Sequence, residues 1–300
     1  MHEIFFYQSY SNTKFQLVKR LLCLSMLLII VLFCIPANAV KIEATLENSV
    51  VASAEYVPGD PSRPAVLVLH GFLATHNFFT VVRLAEYLAD DGFSVLSPTL
   101  SLGISNRKNS LSCDAVHTHN MQDDLKEIVF WIDWLVNKGH KDIYLVGHSY
   151  GSLQLLIYQS TYKHSAVRRV IATSLVDIEH TVGLKASQSQ IDIAKDMIAQ
   201  QESSLGNFQF SFCNKYVSPP QAYLSYAKWS KGQIVSLFEN LSTPSIVIMG
   251  SKDSRMDKNW PDMLRQSKVD VMMIEGANHF FDAQFEFDLV DAVLSIMHVN

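Results

Sequence analysis

Residues 143–152, IYLVGHSYGS, decide how this chain is read. IYLVG is a short, unbroken apolar run, the composition of a strand buried on both faces. A helical segment follows at once, from Ser149 to about Tyr162. Between them stands Gly147-His148-Ser149-Tyr150-Gly151, a G-x-S-x-G pentapeptide. Five residues alone are a weak signal. A buried strand before them and a helix directly after them strengthen it, because the turn needs both. So tight a strand-to-helix turn holds its central residue in a strained backbone conformation. Glycines two before and two after remove side chains that would collide across it. The helix start then turns free N–H groups toward developing negative charge. A helix N-cap is the bland role for Ser149; the whole pattern makes it a candidate nucleophile.

Working outward, further apolar runs stand at 65–70 (AVLVLH), 168–174 (RRVIATS), 245–250 (SIVIMG) and 270–276 (DVMMIEG). A shorter one, FSVLS at 93–97, ends at Pro98. Residues 79–90 read as an amphipathic helix with Val82, Leu84 and Leu88 inward, stopped by Asp91-Gly92. Met121, Leu125, Ile128, Val129, Ile132 and Leu135 follow the helical period over 120–138. A helix separates the last two strands, and another runs near 282–297. Strands alternating with helices imply a mostly parallel central sheet with helices on both faces. Residues 41–57 alternate and read as two short strands or a hairpin at the sheet edge, and 99–118 read as loop. Residues 176–242 break the rhythm and read as a mostly helical cap insertion over the strands' carboxyl ends, where open α/β sheets bind ligands.

With the elbow and this order of elements, the chain resembles the α/β-hydrolase superfamily over roughly residues 65–175 and 243–300. The resemblance implies an α/β-hydrolase fold and a Ser-His-Asp triad. His70-Gly71-Phe72 looks like the superfamily's H-G-x oxyanion turn, which implies an oxyanion hole formed by the N–H groups of Phe72 and Tyr150. The fuller HGGG form is absent, and His70 is expected to order the turn. His279, in the loop after DVMMIEG, stands where the superfamily carries its general base. Asp253, three residues past Gly250, stands where it carries its acid, with Asp257 as the rival. His148 is read as a packing residue, and His117 and His119, an H-x-H pair with no third ligand in view, as solvated or helix-capping. No metal and no cofactor are expected.

The activity implied is cleavage of carboxylic esters or thioesters of a small molecule through an acyl-enzyme. Amide or C–C bond cleavage on the same triad is the alternative, and a non-catalytic binding protein on the same scaffold a weaker one. Phe208, Phe210, Phe212, Tyr216, Tyr223, Tyr226 and Trp229 crowd the insertion, most to pack it and a few to line an apolar pocket. No cluster of Arg or Lys stands beside the motifs, which disfavours a phosphorylated or carboxylate-rich substrate.

Composition sets the outer limits. The formal charge is −5, from 24 basic and 29 acidic residues without a basic block, which argues against nucleic acid as a partner. Hydrophobic residues make up 48% and charged ones 18%, enough for a large core. Lys14, Lys19 and Arg20, the apolar run 21–35 and Ala37-Asn38-Ala39 read as a signal peptide over 1–39, cleaved after Ala39. The run is 15 residues, short of a bilayer span, so an exported protein is expected, with an uncleaved anchor as the alternative. The parts are then the leader 1–39, the core 40–175 and 243–300, and the cap 176–242. Past the leader only Cys113 and Cys213 remain, either bridged or as two buried thiols. Oligomeric state is not legible.

Overall fold

The structure is a computed structural model that describes residues 39–202, 204–267 and 269–298. All but the final residue of the expected leader lies outside them. Ten strands are described: β1 Val40–Thr45, β2 Val51–Val57, β3 Ala65–Leu69, β4 Ser94–Thr99, β5 Ile143–His148, β6 Val167–Thr173, β7 Gly206–Phe210, β8 Cys213–Ser218, β9 Ser245–Gly250 and β10 Asp270–Ile274. Eight form one sheet in the order β1-β2-β4-β3-β5-β6-β9-β10. The pairs β1–β2 and β2–β4 are antiparallel and every other pair is parallel. The edge hairpin and the mostly parallel sheet are therefore those expected. β4 runs on through Pro98 instead of ending there. Its ladder with β3 stops at Leu96, so Pro98 lies where the strand is paired on one side only.

The helices that cover the sheet are α1 Phe79–Asp90, α2 Met121–Asn137, α3 Tyr150–Tyr162, α8 Trp260–Gln266 and α9 Phe285–His298. Between β6 and β9 lie α4 Ile178–Val182, α5 Leu184–Ala199, α6 Pro220–Ala227 and α7 Lys231–Asn240. The unbroken apolar strands follow from helices on both faces. Along β3, Val66 and Val68 turn to one face, with Val81, Leu84, Leu88 of α1 and Val293 of α9. Leu67 and Leu69 turn to the other, with Ile128 and Ile132 of α2 and Leu153 and Leu156 of α3. Each such side chain contributes roughly 1.5–3 kcal/mol by leaving water. On α1 it is Val81 that is buried, and Val82 is half-buried. Residues Tyr150 through Gln159 of α3 are buried all round, which fixes the helix directly behind the elbow.

Segment 176–242 carries its four helices and also an antiparallel pair, β7–β8, that the mostly helical reading lacks. Phe208 and Phe210 alternate along β7 with Asn207 and Gln209, a strand period. Phe208, Phe210, Tyr216, Tyr223 and Tyr226 are buried, whereas Phe212 at the hairpin turn is 48% exposed. Cys113 and Cys213 form a disulfide, Cα atoms 5.3 Å apart, that joins the 99–118 loop to this hairpin. Beside it the His117 N–H donates to the Val217 carbonyl at 2.8 Å. No helix among the described residues is long and apolar enough to cross a membrane.

Candidate active site

The elbow is built as its spacing requires. Ser149 has φ 57° and ψ −122°, a conformation that costs a non-glycine residue about 1–3 kcal/mol. A side chain on Gly147 would put its Cβ 2.5 Å from Ser152 Cα, and one on Gly151 would stand 2.3 Å from the His70 carbonyl oxygen. Any residue but glycine at either position would push α3 off β5 and the neighbouring β3 turn. The turn is anchored further by the Ser149 N–H, which donates to the Thr173 carbonyl at 2.8 Å.

His279, Asp253 and Ser149 meet. His279 Nδ1 lies 2.7 Å from Asp253 Oδ2 and Nε2 lies 2.9 Å from Ser149 Oγ. The carboxylate can only accept, so Nδ1 carries the proton and Nε2 offers its lone pair to the serine hydroxyl. Both partners of the histidine end are buried, with 4% and 7% exposure, while Ser149 is partly open to solvent. Asp253 Oδ1 accepts from the Arg255 N–H at 2.8 Å, and Ser174 Oγ donates to the His279 carbonyl at 2.7 Å, which hold the two loops. Asp257 lies elsewhere: it accepts from Lys231 Nζ at 3.2 Å and from the Asn259 N–H at 2.9 Å.

Phe72 follows Gly71, whose position lies against Ser149: a Cβ there would be 3.1 Å from Ser149 Cβ. Neither the Phe72 nor the Tyr150 N–H has an acceptor among the described residues. His70 shapes that turn, as expected. Its Nδ1–H donates to the Gly71 carbonyl at 2.8 Å, and its Nε2 accepts from the Leu100 N–H at 3.0 Å. Burial, with Arg107 nearby, holds its pKa down to about 3, so it stays a neutral scaffold. His148 is buried and stacks on Phe78, in the packing role expected.

His117 and His119 are neither solvated nor helix-capping. Both are buried, because the insertion covers the loop that carries them. His117 stacks on Tyr216 with centroids 4.2 Å apart. His119 belongs to a cluster that the sequence reading missed. Its Nδ1–H donates to Tyr226 Oη, and that hydroxyl donates to Asp124 Oδ2 at 2.7 Å. Gln154 Nε2 donates to the same oxygen at 2.7 Å. Burial pushes Asp124 up to about 8 and His119 down to about 3, so the neutral forms prevail at pH 7. Burial thus works against an ion pair across their 3.8 Å approach. Together with His70, Phe72 and Tyr150 these residues enclose a cavity of about 10 Å³, the room of one water. Tyr150 Oη donates to the Tyr226 carbonyl at 3.2 Å, so α6 of the insertion is tied to the residue after Ser149. The signal was there: Asp124 is three residues past Met121 and four before Ile128, on the apolar face of α2. Among the described residues no group of His, Cys, Asp and Glu is arranged to hold a metal ion.

Residues 64–201 match the family described as the alpha/beta hydrolase fold. No curated protein matches the chain. Among solved structures it is similar to Est1E from Butyrivibrio proteoclasticus, with 14% identity and a TM-score of 0.59 over 87% of this chain and 99% of that one. It is similar also to the alpha/beta hydrolase GrgF from Penicillium sp. sh18, with 14% identity and a TM-score of 0.64 over 86% and 96%. A thioesterase domain from the curacin biosynthetic pathway aligns with 16% identity and a TM-score of 0.55 over 87% and 99%. At such identities the likeness speaks for the fold alone. Matched by sequence over its first βα units and by fold along most of its length, the chain is an α/β-hydrolase-fold protein.

Proposed function

We propose that the chain is an exported serine hydrolase that cleaves carboxylic esters or thioesters of small molecules. The observation that carries this reading is the line Asp253–His279–Ser149, with contacts of 2.7 and 2.9 Å, ending on a serine in a strained elbow. In this reading His279 Nε2 takes the Ser149 proton as Oγ attacks the substrate carbonyl. The negative charge that grows on the carbonyl oxygen is held by the Phe72 and Tyr150 N–H groups, each worth about 3 kcal/mol in the transition state. Asp253 holds the imidazole in its Nδ1–H tautomer and stabilises the imidazolium. The intermediate collapses as His279 returns the proton to the departing alcohol or thiol, which leaves an acyl ester on Ser149. Water, deprotonated by His279, then releases the acid and restores the serine.

Two features support export: the leader-like residues 1–39, and a disulfide, a bond that persists in oxidising compartments. N-terminal sequencing of the exported protein should begin at Val40; membrane-free protein that retains residues 1–39 would contradict it.

The activity is tested with a panel of 4-nitrophenyl esters and thioesters set against amino-acid anilides. The expected result is turnover of the esters, lowered by several orders of magnitude in Ser149→Ala with folding intact. Turnover of anilides alone would move the reading to an amidase, and near-native activity in the variant would end it.

A further inference from the structure

Two residues past Asp253, the Arg255 side chain lies against two aromatic rings. Its guanidinium carbon stands 4.6 Å from the centre of the Phe280 ring and 5.4 Å from that of Phe212. Phe280 follows His279, and its ring lies 5.1 Å from the imidazole. Phe212 packs on Phe72, the oxyanion-turn residue, at 5.6 Å. The guanidinium therefore stands between the residue after His279 and Phe212 of the β7–β8 hairpin, which packs in turn on Phe72 of the β3 turn.

This cation lacks the usual partners. Every other arginine among the described residues, from Arg63 to Arg265, donates to a carboxylate or a carbonyl. The Arg255 guanidinium, although half-buried, has no acceptor among them. The nearest carboxylate in sequence is engaged: Asp253 accepts from the Arg255 N–H through Oδ1 and faces His279 through Oδ2. Two aromatic faces orient the guanidinium by cation–π attraction and leave its N–H edge free. The backbone under it is held as well. Thr181 Oγ1, which donates to the Asp177 carbonyl at 3.0 Å, stands 3.4 Å from the Arg255 carbonyl, and the Asp257 N–H donates to the buried Asp177 Oδ2 at 3.0 Å. A planar fork of unused donors, held against the ring that follows His279, fits a carboxylate.

Resting on the hydrolase reading above, we infer that Arg255 determines specificity by binding a carboxylate on the substrate. The favoured substrates are then carboxylic esters or thioesters that bear a second, ionised carboxyl group near the scissile bond. Expectation from the sequence ran the other way because no cluster of basic residues accompanies the motifs; here one arginine without an internal partner takes that role.

The test compares matched esters. One pair is 4-nitrophenyl hemiglutarate against neutral 4-nitrophenyl pentanoate, with charge on the acyl side. The other is 4-carboxyphenyl acetate against phenyl acetate, with charge on the leaving group. The native protein is expected to favour the charged member of one pair by about 10–100-fold in kcat/KM. That ratio should fall as salt is raised. Arg255→Gln should collapse the ratio toward one, and Arg255→Lys, which keeps charge without the fork, should retain part of it. Labelling by a fluorophosphonate shows that Ser149 is still assembled in each variant. No charge preference in either pair, or a ratio that survives Arg255→Gln, overturns the inference while hydrolysis of neutral esters leaves the underlying reading standing. Failure to turn over any ester, together with no labelling of Ser149, overturns both.

Discussion

Two buried histidine–carboxylate neighbourhoods flank Tyr150, and they end differently. In one, Asp253 and His279 line up behind a serine that is partly open to solvent. In the other, His119 and Asp124 meet through the Tyr226 hydroxyl, capped by Gln154 and closed off by the insertion. Residue types alone do not separate the two. Their supports do. The first hangs from loops at the carboxyl ends of β9 and β10 and faces an elbow that leaves N–H groups without acceptors. The second draws its members from α2, α3, α6 and the loop just before α2, and its cavity has room for about one water. A histidine beside a carboxylate can act on a substrate only where a substrate can reach it.

The sharpest way to break this contrast is at the carboxylates. Asp253→Asn should lower kcat by about 10⁴-fold, because the amide favours the wrong imidazole tautomer. Asp257→Asn and Asp124→Asn should each leave kcat within a few-fold of the native value. An ester assay on the three variants decides it, and a large loss in Asp257→Asn with none in Asp253→Asn would reassign the acid.

A smaller effect separates the two regions by stability. The Cys113–Cys213 bridge closes a separation of 100 residues and ties down the hairpin beside His117. Replacing both cysteines by serine should cost about 2–5 kcal/mol in urea unfolding. The loss should loosen the insertion and its Tyr226 contacts before it touches the loops of His279 and Asp253. Amide hydrogen exchange that rises first in residues 206–227 would agree; exchange that rises first around 276–280 would not.

The smallest effect is one of pH. Burial pushes the Asp124 carboxyl up to about 8 from its ordinary 3.8. Between those values the folded chain keeps a proton that the unfolded chain releases. Stability from this group is thus present at low pH and is lost as pH rises toward 8, by at most about 1.4 kcal/mol per pH unit. Unfolding free energies of the native chain relative to Asp124→Asn should therefore fall between about pH 5 and pH 8. A constant difference would place the ordinary carboxylate ionisation at Asp124.

Legibility in the sequence followed locality. The elbow, the β3 turn and the loops after β9 and β10 were readable because each is a short motif pinned to the end of a buried strand. Asp253 could be ranked over Asp257 because it lies three residues past Gly250. The buried cluster was not readable, since Asp124, Gln154 and Tyr226 come from three helices and share no spacing. His117 and His119 were misplaced for the same reason: the loop that carries them is polar, and what buries it arrives a hundred residues later. The F-x-F alternation at 208–210 did announce a strand, but within a stretch whose other segments are helical.

In the proposed mechanism Ser149 is a nucleophile activated by His279 and Asp253. Reacting the purified protein with a fluorophosphonate and mapping the adduct by mass spectrometry tests that role. One phosphonyl group per chain is expected, on Ser149, absent in Ser149→Ala and formed far more slowly in His279→Ala. An adduct on a different residue, or an unlabelled native protein, would contradict it.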